Sequence, residues 1–273
     1  MASADARVTG GRRDSWGAVW LASSAILFFI ALPLVALLIA VPPRDLAAHM
    51  VSPMALRALG LTLRTTLVST LLCVLLGTPL AYLMARGRFR GREILDTLVD
   101  LPITIPPVVG GVALLLAFGR RGLLGRSLEL GGLSLSFTTA AVVLAQLFIA
   151  SPFFVKAARA GFEAVDPRLE AAARSLGASR LRVFFTVTAP LARQALLAGI
   201  VLAWARALSE FGATMMFAGN FPGRTQTLSL AVMTAIESDL PTAVGVSALS
   251  LLLAVVALLV AKRLAPRGAL GLG

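Results

Sequence analysis

Long apolar stretches alternate with short charged segments along most of this chain. Five of the stretches occupy residues 18–41, 59–84, 138–155, 194–218 and 242–261. Each approaches or exceeds the length of about 18 apolar residues that a helix needs to cross a lipid bilayer. A sixth apolar stretch, residues 101–118, is interrupted by prolines near its start. The pattern predicts an all-α, polytopic membrane protein with six transmembrane helices.

The prolines set the sixth stretch apart from the other five. In DLPITIPPVVGG, each proline removes a backbone donor, and the freed carbonyl groups need partners in protein or water. One interpretation is a kinked start of an ordinary span, because proline and glycine are frequent in membrane helices. The other is a discontinuous helix beside a substrate route, as in many transporters. The sequence leaves both interpretations open.

The first apolar stretch follows Arg12 and Arg13, as the apolar part of a signal peptide would. It is longer than the roughly 7 to 15 residues of such a region, and no small-x-small cleavage site precedes Pro42. We therefore predict a membrane anchor at this position.

The charged residues support the same arrangement. The formal net charge is +12 and the charged fraction is 14%, well below the soluble average of about 25%. With the N-terminus inside, most lysines and arginines fall in inner segments, as the positive-inside rule expects. This gives a cytoplasmic tail at residues 1–15, a transmembrane domain at 16–263 and a cytoplasmic tail at 264–273. Nucleic-acid binding is not needed to explain the charge.

Several chemistries are excluded by composition. His49 is the single histidine and Cys73 the single cysteine, so neither a clustered zinc site nor a disulfide framework is expected. A phosphate-binding loop requires Gly-Lys-Ser/Thr, which the chain lacks. We predict no catalytic residue, no metal, no cofactor bound by this chain and no ATP hydrolysis of its own.

One inner segment, DPRLEAAARSLGASRLRVFFTVTAP, lies between the fourth and fifth predicted spans. Asp166 is a good N-cap and Pro167 suits the first helical position, so a short helix is predicted to begin there. Gly177 predicts its end. Ser179 predicts the start of a second short helix, and Pro190 then redirects the chain into the fifth span.

The apolar face of the first short helix is shallow. Four residues share this face at helical spacing: Leu169, Ala172, Ala173 and Leu176. Alanine allows a partner backbone to approach closely, whereas a helix lying on lipid usually exposes bulky residues. We favour docking against a partner protein. An interfacial helix lying on anionic headgroups is the alternative.

This segment resembles the EAA loop of the membrane subunits of bacterial ABC importers, whose pattern is E-A-A-x3-G-x9-I-x-L-P. Gly177 and Pro190 match, whereas the acid is Glu170, one residue before the first position of the pattern. In the family, this loop forms a coupling helix that docks in a groove of the cytoplasmic ATPase. The resemblance implies a coupling loop at about residues 160–190. Its implied ATPase-coupling residues are Glu170, Ala171, Ala172, Ala173, Gly177 and Pro190.

The resemblance extends over about residues 55–262, and two stretches narrow it. Molybdate permease subunits are similar to ARGRFRGREILDTLVDLPITIPPVVGG with the following FGRRGLLG, and to RALSEFGATMMFAGNFPGRTQTLSLAV. Sulfate and thiosulfate permeases are similar but usually carry tyrosine and serine in place of Phe211 and Ala213. Tungstate permeases are hardly separable, because the two tetrahedral dianions are nearly the same size.

The resemblance implies a small type I ABC importer permease fold that works as a homodimer in the bacterial inner membrane. The implied partners are a second copy of the chain, cytoplasmic ATPase subunits that bind ATP and magnesium, an extracytoplasmic oxyanion-binding protein and the lipid bilayer. The implied cargo is an oxyanion. Molybdate is favoured, with tungstate, sulfate or thiosulfate as alternatives.

A route for a dianion needs hydrogen-bond donors and cations. The candidates for this translocation path are Arg64, Thr104, Pro106, Pro107, Arg206, Ser209, Glu210, Phe211 and Thr214. Further candidate donors in the second span are Thr62, Thr65, Thr66 and Ser69. Arg206 and Glu210 are four residues apart on the predicted fifth helix and are expected to pair. We favour a packing role for this pair over a direct role in the path.

Two other functional classes are consistent with six spans. One is a membrane scaffold without transport, which co-purification of a nucleotide-hydrolysing partner would disprove. The other is a secondary transporter driven by an ion gradient. The predicted spans contain few unpaired acids that could carry protons, which disfavours the second class.

Overall fold

The computed structural model describes residues 13–87 and 89–264. In chain order the helices are α1 (Arg13–Ile39), α2 (Pro43–Met50), α3 (Pro53–Arg86), α4 (Arg92–Thr104), α5 (Pro107–Phe118), α6 (Gly125–Leu130), α7 (Thr139–Ala164), α8 (Pro167–Ser175), α9 (Arg180–Val183), α10 (Ala189–Leu191), α11 (Arg193–Leu208), α12 (Gly212–Ala218), α13 (Leu228–Ser238) and α14 (Leu240–Leu264). A π-helical turn, Phe184–Thr188, joins α9 to α10. The predicted tails, 1–15 and 264–273, lie almost entirely outside the described residues.

The all-helical prediction is confirmed for the described part of the chain, and several helices are long enough to span a membrane. Four such helices are α3, α7, Val19–Ile39 within α1 and Leu240–Val260 within α14. Two helix pairs are apolar enough only when taken together, and each pair is bent. The bend is 117° between α4 and α5, and 77° between Arg180–Leu191 and α11. The described residues therefore contain four spans, or up to six if each bent pair counts as one.

The proline cluster breaks the third predicted span. Ile105 precedes Pro106, and Pro106 precedes Pro107, so both residues avoid the helical region and adopt extended ψ angles of 145° and 135°. Pro107 then begins α5 at a position where a missing N–H costs no hydrogen bond. The discontinuous helix that the sequence left as one of two interpretations is what the structure contains.

The fifth predicted span is also broken, and here a continuous helix over 194–218 was wrong. The helix α11 ends at Leu208, and α12 begins at Gly212. The carboxylate of Glu210 accepts the backbone N–H of Ala213 at 2.7 Å, which starts a new helix instead of continuing the old one. Ser209, Glu210 and Phe211 therefore lie in a connection between two helices, not on a helix face.

The centre of the fold is formed by α3, α7 and α11, and α7 approaches α11 through small residues. A methyl group added at Gly161 of α7 would overlap the Cβ of Ala195 in α11. One added at Gly199 of α11 would lie 3.0 Å from the Cβ of Ala157. Close contact through glycine and alanine is the usual way in which membrane helices pack. The two helices that flank the predicted coupling loop are thus in backbone contact at its base.

The first helix lies outside this centre. No residue of Val19–Ile39 is buried among residues 13–87 and 89–264, and α1 packs mainly against α14. The short helix α2 also packs on α14, where His49 fills the space beside Gly245 and its Nδ1 lies 3.0 Å from the hydroxyl of Thr242. The single cysteine, Cys73, is buried in the central apolar cluster.

Candidate functional site

The segment between α7 and α11 begins with the helix that the sequence predicted. The carboxylate of Asp166 accepts the backbone N–H of Arg168 at 2.9 Å, and Pro167 occupies the first position of α8. The helix ends before Gly177, whose φ of +86° lies in the left-handed region that favours glycine. Both the start and the stop of this helix are confirmed.

The second half of the segment contains a feature that the sequence did not indicate. Ser179 accepts the backbone N–H of Arg182 at 3.3 Å, which confirms it as the cap of α9. The backbone then widens into the π-helical turn, in which the N–H of Ala189 reaches the carbonyl of Phe184, five residues earlier. Pro190 follows, and the chain bends by 77° into α11.

Glu170 is the buried acid of this segment. Its side chain is only 8% exposed, and a single oxygen, Oε1, accepts three hydrogen bonds. The Nε and Nη2 atoms of Arg86 donate at 3.1 and 3.0 Å, and the hydroxyl of Thr188 donates at 2.9 Å. Arg86 also donates to the carbonyl of Val165 at 2.7 Å. We call these four residues the Glu170 latch.

The latch joins three parts of the chain. Arg86 is the last residue of α3, Glu170 lies in α8 and Thr188 closes the π-helical turn. Ala171, the position at which the motif usually has its acid, is exposed and lies about 100° around the helix from Glu170. The shifted acid is therefore directed into the subunit. Sequence reasoning missed Arg86 and Thr188, because a separation of 84 residues between Arg86 and Glu170 follows no local spacing rule.

The opposite side of the segment is uncovered and partly apolar. Its large exposed residues are Leu169, Leu176, Leu181 and Phe185. Leu176, beside the Gly177 turn, is 89% exposed. Ala171 and Ala172 are exposed and Ala173 is half-buried. The predicted alanine face is thus part of a broader surface that contains bulky residues as well as small ones.

Ion pairs fix α4 against α7 beside this segment. Three pairs join the two helices: Arg92–Glu163, Arg159–Asp96 and Lys156–Asp100; a fourth, Arg159–Glu163, lies within α7. Their distances lie between 2.6 and 3.0 Å. The other face of α4 exposes Ile94 and Leu98. Because its charged face meets α7 and its apolar face is uncovered, α4 has the character of an interfacial helix.

The predicted pair of Arg206 and Glu210 is confirmed. Nη2 of Arg206 lies 3.0 Å from Oε2 of Glu210, and the Glu210 side chain is 0% exposed. The other oxygen of Glu210 holds the N–H of Ala213, and Arg206 also reaches the hydroxyl of Ser209 at 3.4 Å. Glu210 thus links the end of α11 to the start of α12 and stabilises the connection between them.

The two broken spans meet at their breaks. A Cβ added at Gly212, the first residue of α12, would lie 3.2 Å from Cβ of Pro107 and 3.1 Å from the backbone nitrogen of Val108. Pro107 and Val108 are the first residues of α5. Phe211 is 38% exposed beside this contact, and Thr214 is fully buried. The structure therefore brings together Pro107 and the Glu210 region, which the sequence had proposed separately.

The remaining path candidates are not part of this contact. Arg64 is exposed on α3, Pro106 is exposed, and the exposed Thr104 donates its hydroxyl to the carbonyl of Leu101. The other hydroxyl candidates are buried and already engaged. Thr65, Thr66 and Ser69 each donate to a carbonyl of their own helix.

The stretch between α12 and α13 is a packed connection. Thr225, Gln226 and Thr227 are all buried. The hydroxyl of Thr225 accepts the N–H of Phe221 at 2.9 Å, and the N–H of Leu228 donates to the hydroxyl of Thr62 at 2.9 Å. This stretch therefore attaches the end of the fifth predicted span to α3.

Comparison with known proteins agrees with this architecture. Residues 77–268 match the family described as "Binding-protein-dependent transport system inner membrane component". The molybdenum transport system permease protein ModB of Mycobacterium tuberculosis is 45% identical over 253 residues, which cover 93% of this chain and 95% of that protein. ModB of Escherichia coli is 40% identical over 212 residues, covering 77% and 93%.

A solved structure has a similar fold. The crystal structure of a bacterial alginate ABC transporter, in complex with an alginate pentasaccharide-bound periplasmic protein, contains a chain that superposes with a TM-score of 0.71 at 18% identity. The superposition covers 93% of each chain. From the match over residues 77–268 and these relatives, the chain belongs to the family of binding-protein-dependent transport system inner membrane components.

Proposed function

We propose that this chain is the permease subunit of an ATP-driven importer that moves molybdate across the bacterial inner membrane. The observation that carries the proposal is the 45% identity, over 93% of the chain, to a protein named a molybdenum transport permease. Two copies of the chain would surround the route on a two-fold axis, as the family resemblance implies. An extracytoplasmic binding protein would deliver the anion.

The segment from α8 to α10 is the proposed contact with the ATPase. Its exposed leucines and alanines offer the apolar surface that a groove on a partner can accept. Beneath this surface, the Glu170 latch holds the segment to α3, so a push on α8 is passed to a spanning helix. In this proposal, Ala171, Ala172, Ala173, Gly177 and Pro190 shape the surface, and Glu170 positions it.

The proposed orientation places this segment and both termini in the cytoplasm. Basic residues on α8 and α9, among them Arg168, Arg174, Arg180 and Arg182, favour that side by the positive-inside rule. Single cysteines at Ser179 and at Gly223, each in a Cys73→Ala background, test the orientation. Ser179 should be labelled only from the inside and Gly223 only from the outside. Labelling of Ser179 in intact cells would disprove the arrangement.

The proposed route passes the meeting point of the two broken spans. Discontinuous helices line substrate sites in many transporters, since their free backbone groups need polar surroundings. Pro107, Ser209, Phe211 and Thr214 belong to this region or border it. For the pair of Arg206 and Glu210, a role in closing the helix break is the one that its hydrogen bonds support.

Uptake by a reconstituted complex tests the function. Vesicles containing the chain, its cognate ATPase and its binding protein should take up molybdate when ATP is supplied inside. Tungstate should follow closely, whereas sulfate should be transported weakly. Omitting the binding protein is the control. Equal uptake of sulfate would leave only the oxyanion class, and the absence of ATP-dependent uptake of any oxyanion would disprove the import function.

A further inference from the structure

A surface cavity lies beside the Glu170 latch. The cavity has a volume of about 780 Å³, is open to the surface and is lined by the end of α3, the start of α4 and the helices α8 and α9. Its charged lining residues are Arg86, Arg92, Arg174, Arg180 and Glu170. A volume of this size is typical of sites that hold a small molecule.

The charge of the cavity is unbalanced. Four guanidinium groups face one carboxylate, and the carboxylate of Glu170 is already bound by Arg86. Arg92 pairs with Glu163, which lies outside the cavity lining. Each guanidinium carries five N–H donors, so the four arginines have far more donors than Glu170 and Glu163 can accept. An anion is the ligand that this excess would recruit.

Arg174 and Arg180 are the two arginines with donors to spare. Arg174 uses its Nε for the carbonyl of Glu170 at 3.3 Å. Within residues 13–87 and 89–264, neither Arg174 nor Arg180 lies within ion-pair distance of a carboxylate. Arginine matches the planar, two-point geometry of phosphate oxygens better than lysine does. The chemistry of these two residues therefore suits a phosphate group.

Most of the remaining lining is apolar and belongs to the spanning helix α3, while Pro167 of α8 and Val183 of α9 add apolar surface and Tyr82 adds a hydroxyl. Pro79, Tyr82 and Leu83 of α3 line the cavity, and Leu83 is 48% exposed. Leu76, seven residues or about two helical turns before Leu83, is 61% exposed. A free inorganic anion needs no such wall, whereas an acyl chain does. The cavity thus combines a cationic end with an apolar strip along α3.

The length of α3 places this cationic end at the level of lipid headgroups. The helix has 34 residues, which is about 51 Å at 1.5 Å per residue. A bilayer is about 30 Å thick in its hydrocarbon core and about 40–45 Å with its headgroups. A helix of this length with apolar residues through its middle ends within or just beyond the headgroup layer.

We infer that the cavity binds the phosphate group of an anionic phospholipid, with Arg174 and Arg180 as donors and the exposed leucines of α3 beside an acyl chain. The inference rests on the proposed orientation, in which this end of α3 faces the cytoplasmic leaflet, where anionic headgroups attract basic groups. A lipid held there joins α3 to α8 and α9, the same elements that the Glu170 latch connects. Lipid composition would then act on the coupling segment.

Native mass spectrometry of the detergent-solubilised transporter complex tests this site. The probes are dioleoyl phosphatidylglycerol and, with the same acyl chains, the zwitterionic dioleoyl phosphatidylcholine. Phosphatidylglycerol should bind saturably and more tightly. The double variant Arg174→Gln/Arg180→Gln should lower its affinity by about tenfold, because each lost charge-assisted hydrogen bond is worth more than a neutral one.

The matched control is Arg168→Gln/Arg182→Gln. It removes the same charge from the same two helices, at exposed positions that do not line the cavity. Equal losses in both double variants would show diffuse attraction only and would overturn the inference. The same follows if phosphatidylcholine binds as tightly as phosphatidylglycerol.

A titration with inorganic phosphate separates the two sources of the same chemistry. Phosphate alone should bind weakly and displace little phosphatidylglycerol. If phosphate binds as tightly as the lipid and removes it, the site takes free anions and the lipid inference is wrong. Binding is measured without ATP or molybdate, so a failure of molybdate uptake would leave this result unchanged, and the reverse also holds.

Discussion

Two buried glutamates in this subunit each pair with an arginine at 3.0 Å, but they connect very different parts of the chain. Glu210 pairs with Arg206, four residues away, and holds the N–H of Ala213. Glu170 pairs with Arg86, 84 residues away, and also holds Thr188. The first pair stabilises the connection between α11 and α12. The second fastens a surface segment to the end of a spanning helix.

The difference determines what each pair can control. A local pair fixes the shape of one break, so its loss is expected to disturb folding there. A pair between distant elements fixes their relative position, so its loss leaves the helices intact but loosens their connection. Burial differs little between the pairs, since the side chains of Glu210 and Glu170 are 0% and 8% exposed and those of Arg206 and Arg86 are 24% and 18% exposed. In each pair water can solvate the arginine in part, whereas the carboxylate is shielded.

The largest effect is expected for Arg206→Met. This variant leaves the buried Glu210 without its cation, which costs about 3 kcal/mol or more. In Arg206→Met/Glu210→Gln, the amide oxygen still accepts the N–H of Ala213, and most of the loss should be recovered. The free energy of unfolding in mixed micelles measures both variants. A double variant as unstable as the single one would contradict the packing role, and a stable double variant that fails to transport would give the pair a direct part in the route.

The second largest effect is expected for Glu170→Ala. It removes an acceptor of three hydrogen bonds and strands Arg86 at a partly exposed site, for a loss of about 2 kcal/mol. The subunit should still insert, while stimulation of ATP hydrolysis by the molybdate-loaded binding protein should fall by about tenfold, within the usual range of coupling energies.

The position of the acid gives a matched control for this variant. Ala171→Glu places an acid at the exposed motif position and should be tolerated. Glu170→Ala/Ala171→Glu should remain uncoupled, because residue 171 is exposed and lies about 100° around the helix from Glu170. Rescue by the shifted acid would show that the acid contacts the ATPase instead of α3.

A smaller effect is expected for Thr188→Val, which nearly preserves shape and removes a single donor to Glu170. The hydroxyl is fully buried and its bond is 2.9 Å long, so its loss should cost about 1.5 kcal/mol. Thr188→Ser keeps the hydroxyl and is the control. Hydrogen exchange of α8 reports the local loosening. Equal protection in the valine and wild-type proteins would mean that Arg86 alone holds the segment.

The smallest effect on stability is expected for Gly177. A Cβ at this position meets nothing within 4 Å, so the cost of Gly177→Ala is the positive φ alone, about 1 kcal/mol. Asparagine tolerates this conformation better and should lose less. Gly177→Glu should insert normally yet abolish uptake, since its side chain projects onto the proposed ATPase surface. Normal uptake by Gly177→Glu would mean that the segment only lies on the membrane surface.

Local rules predicted the local parts of this molecule. Asp166, Gly177 and Ser179 each act on residues within a few positions, and each performs the predicted role. The pairing of Arg206 with Glu210 needed only a helical spacing. The proline cluster indicated either a kinked start or a discontinuous helix, and the 117° bend between α4 and α5 is the second of these.

The remaining features depend on contacts that the order of residues does not display. Arg86 and Glu170 meet because α3 and α8 end at the same place in the fold. The break at Ser209 was missed because an apolar run and an i, i+4 pair both favour a continuous helix. The available signal of a close crossing was Gly212, because a Cβ added there would lie 3.1 Å from the backbone nitrogen of Val108. The π-helical turn has no comparable signal in the sequence.

The contact between Gly161 and Ala195 has a mechanical consequence. It lies just before α7 ends at Ala164 and just after α11 begins at Arg193. The two helices that flank the loop are therefore in close contact at its base. We expect a force on this loop to reach α7 and α11 together, because the two helices are in close contact there. We expect bending to be concentrated at Ile105, between α4 and α5, and at Ser209, between α11 and α12, where the spans are already interrupted.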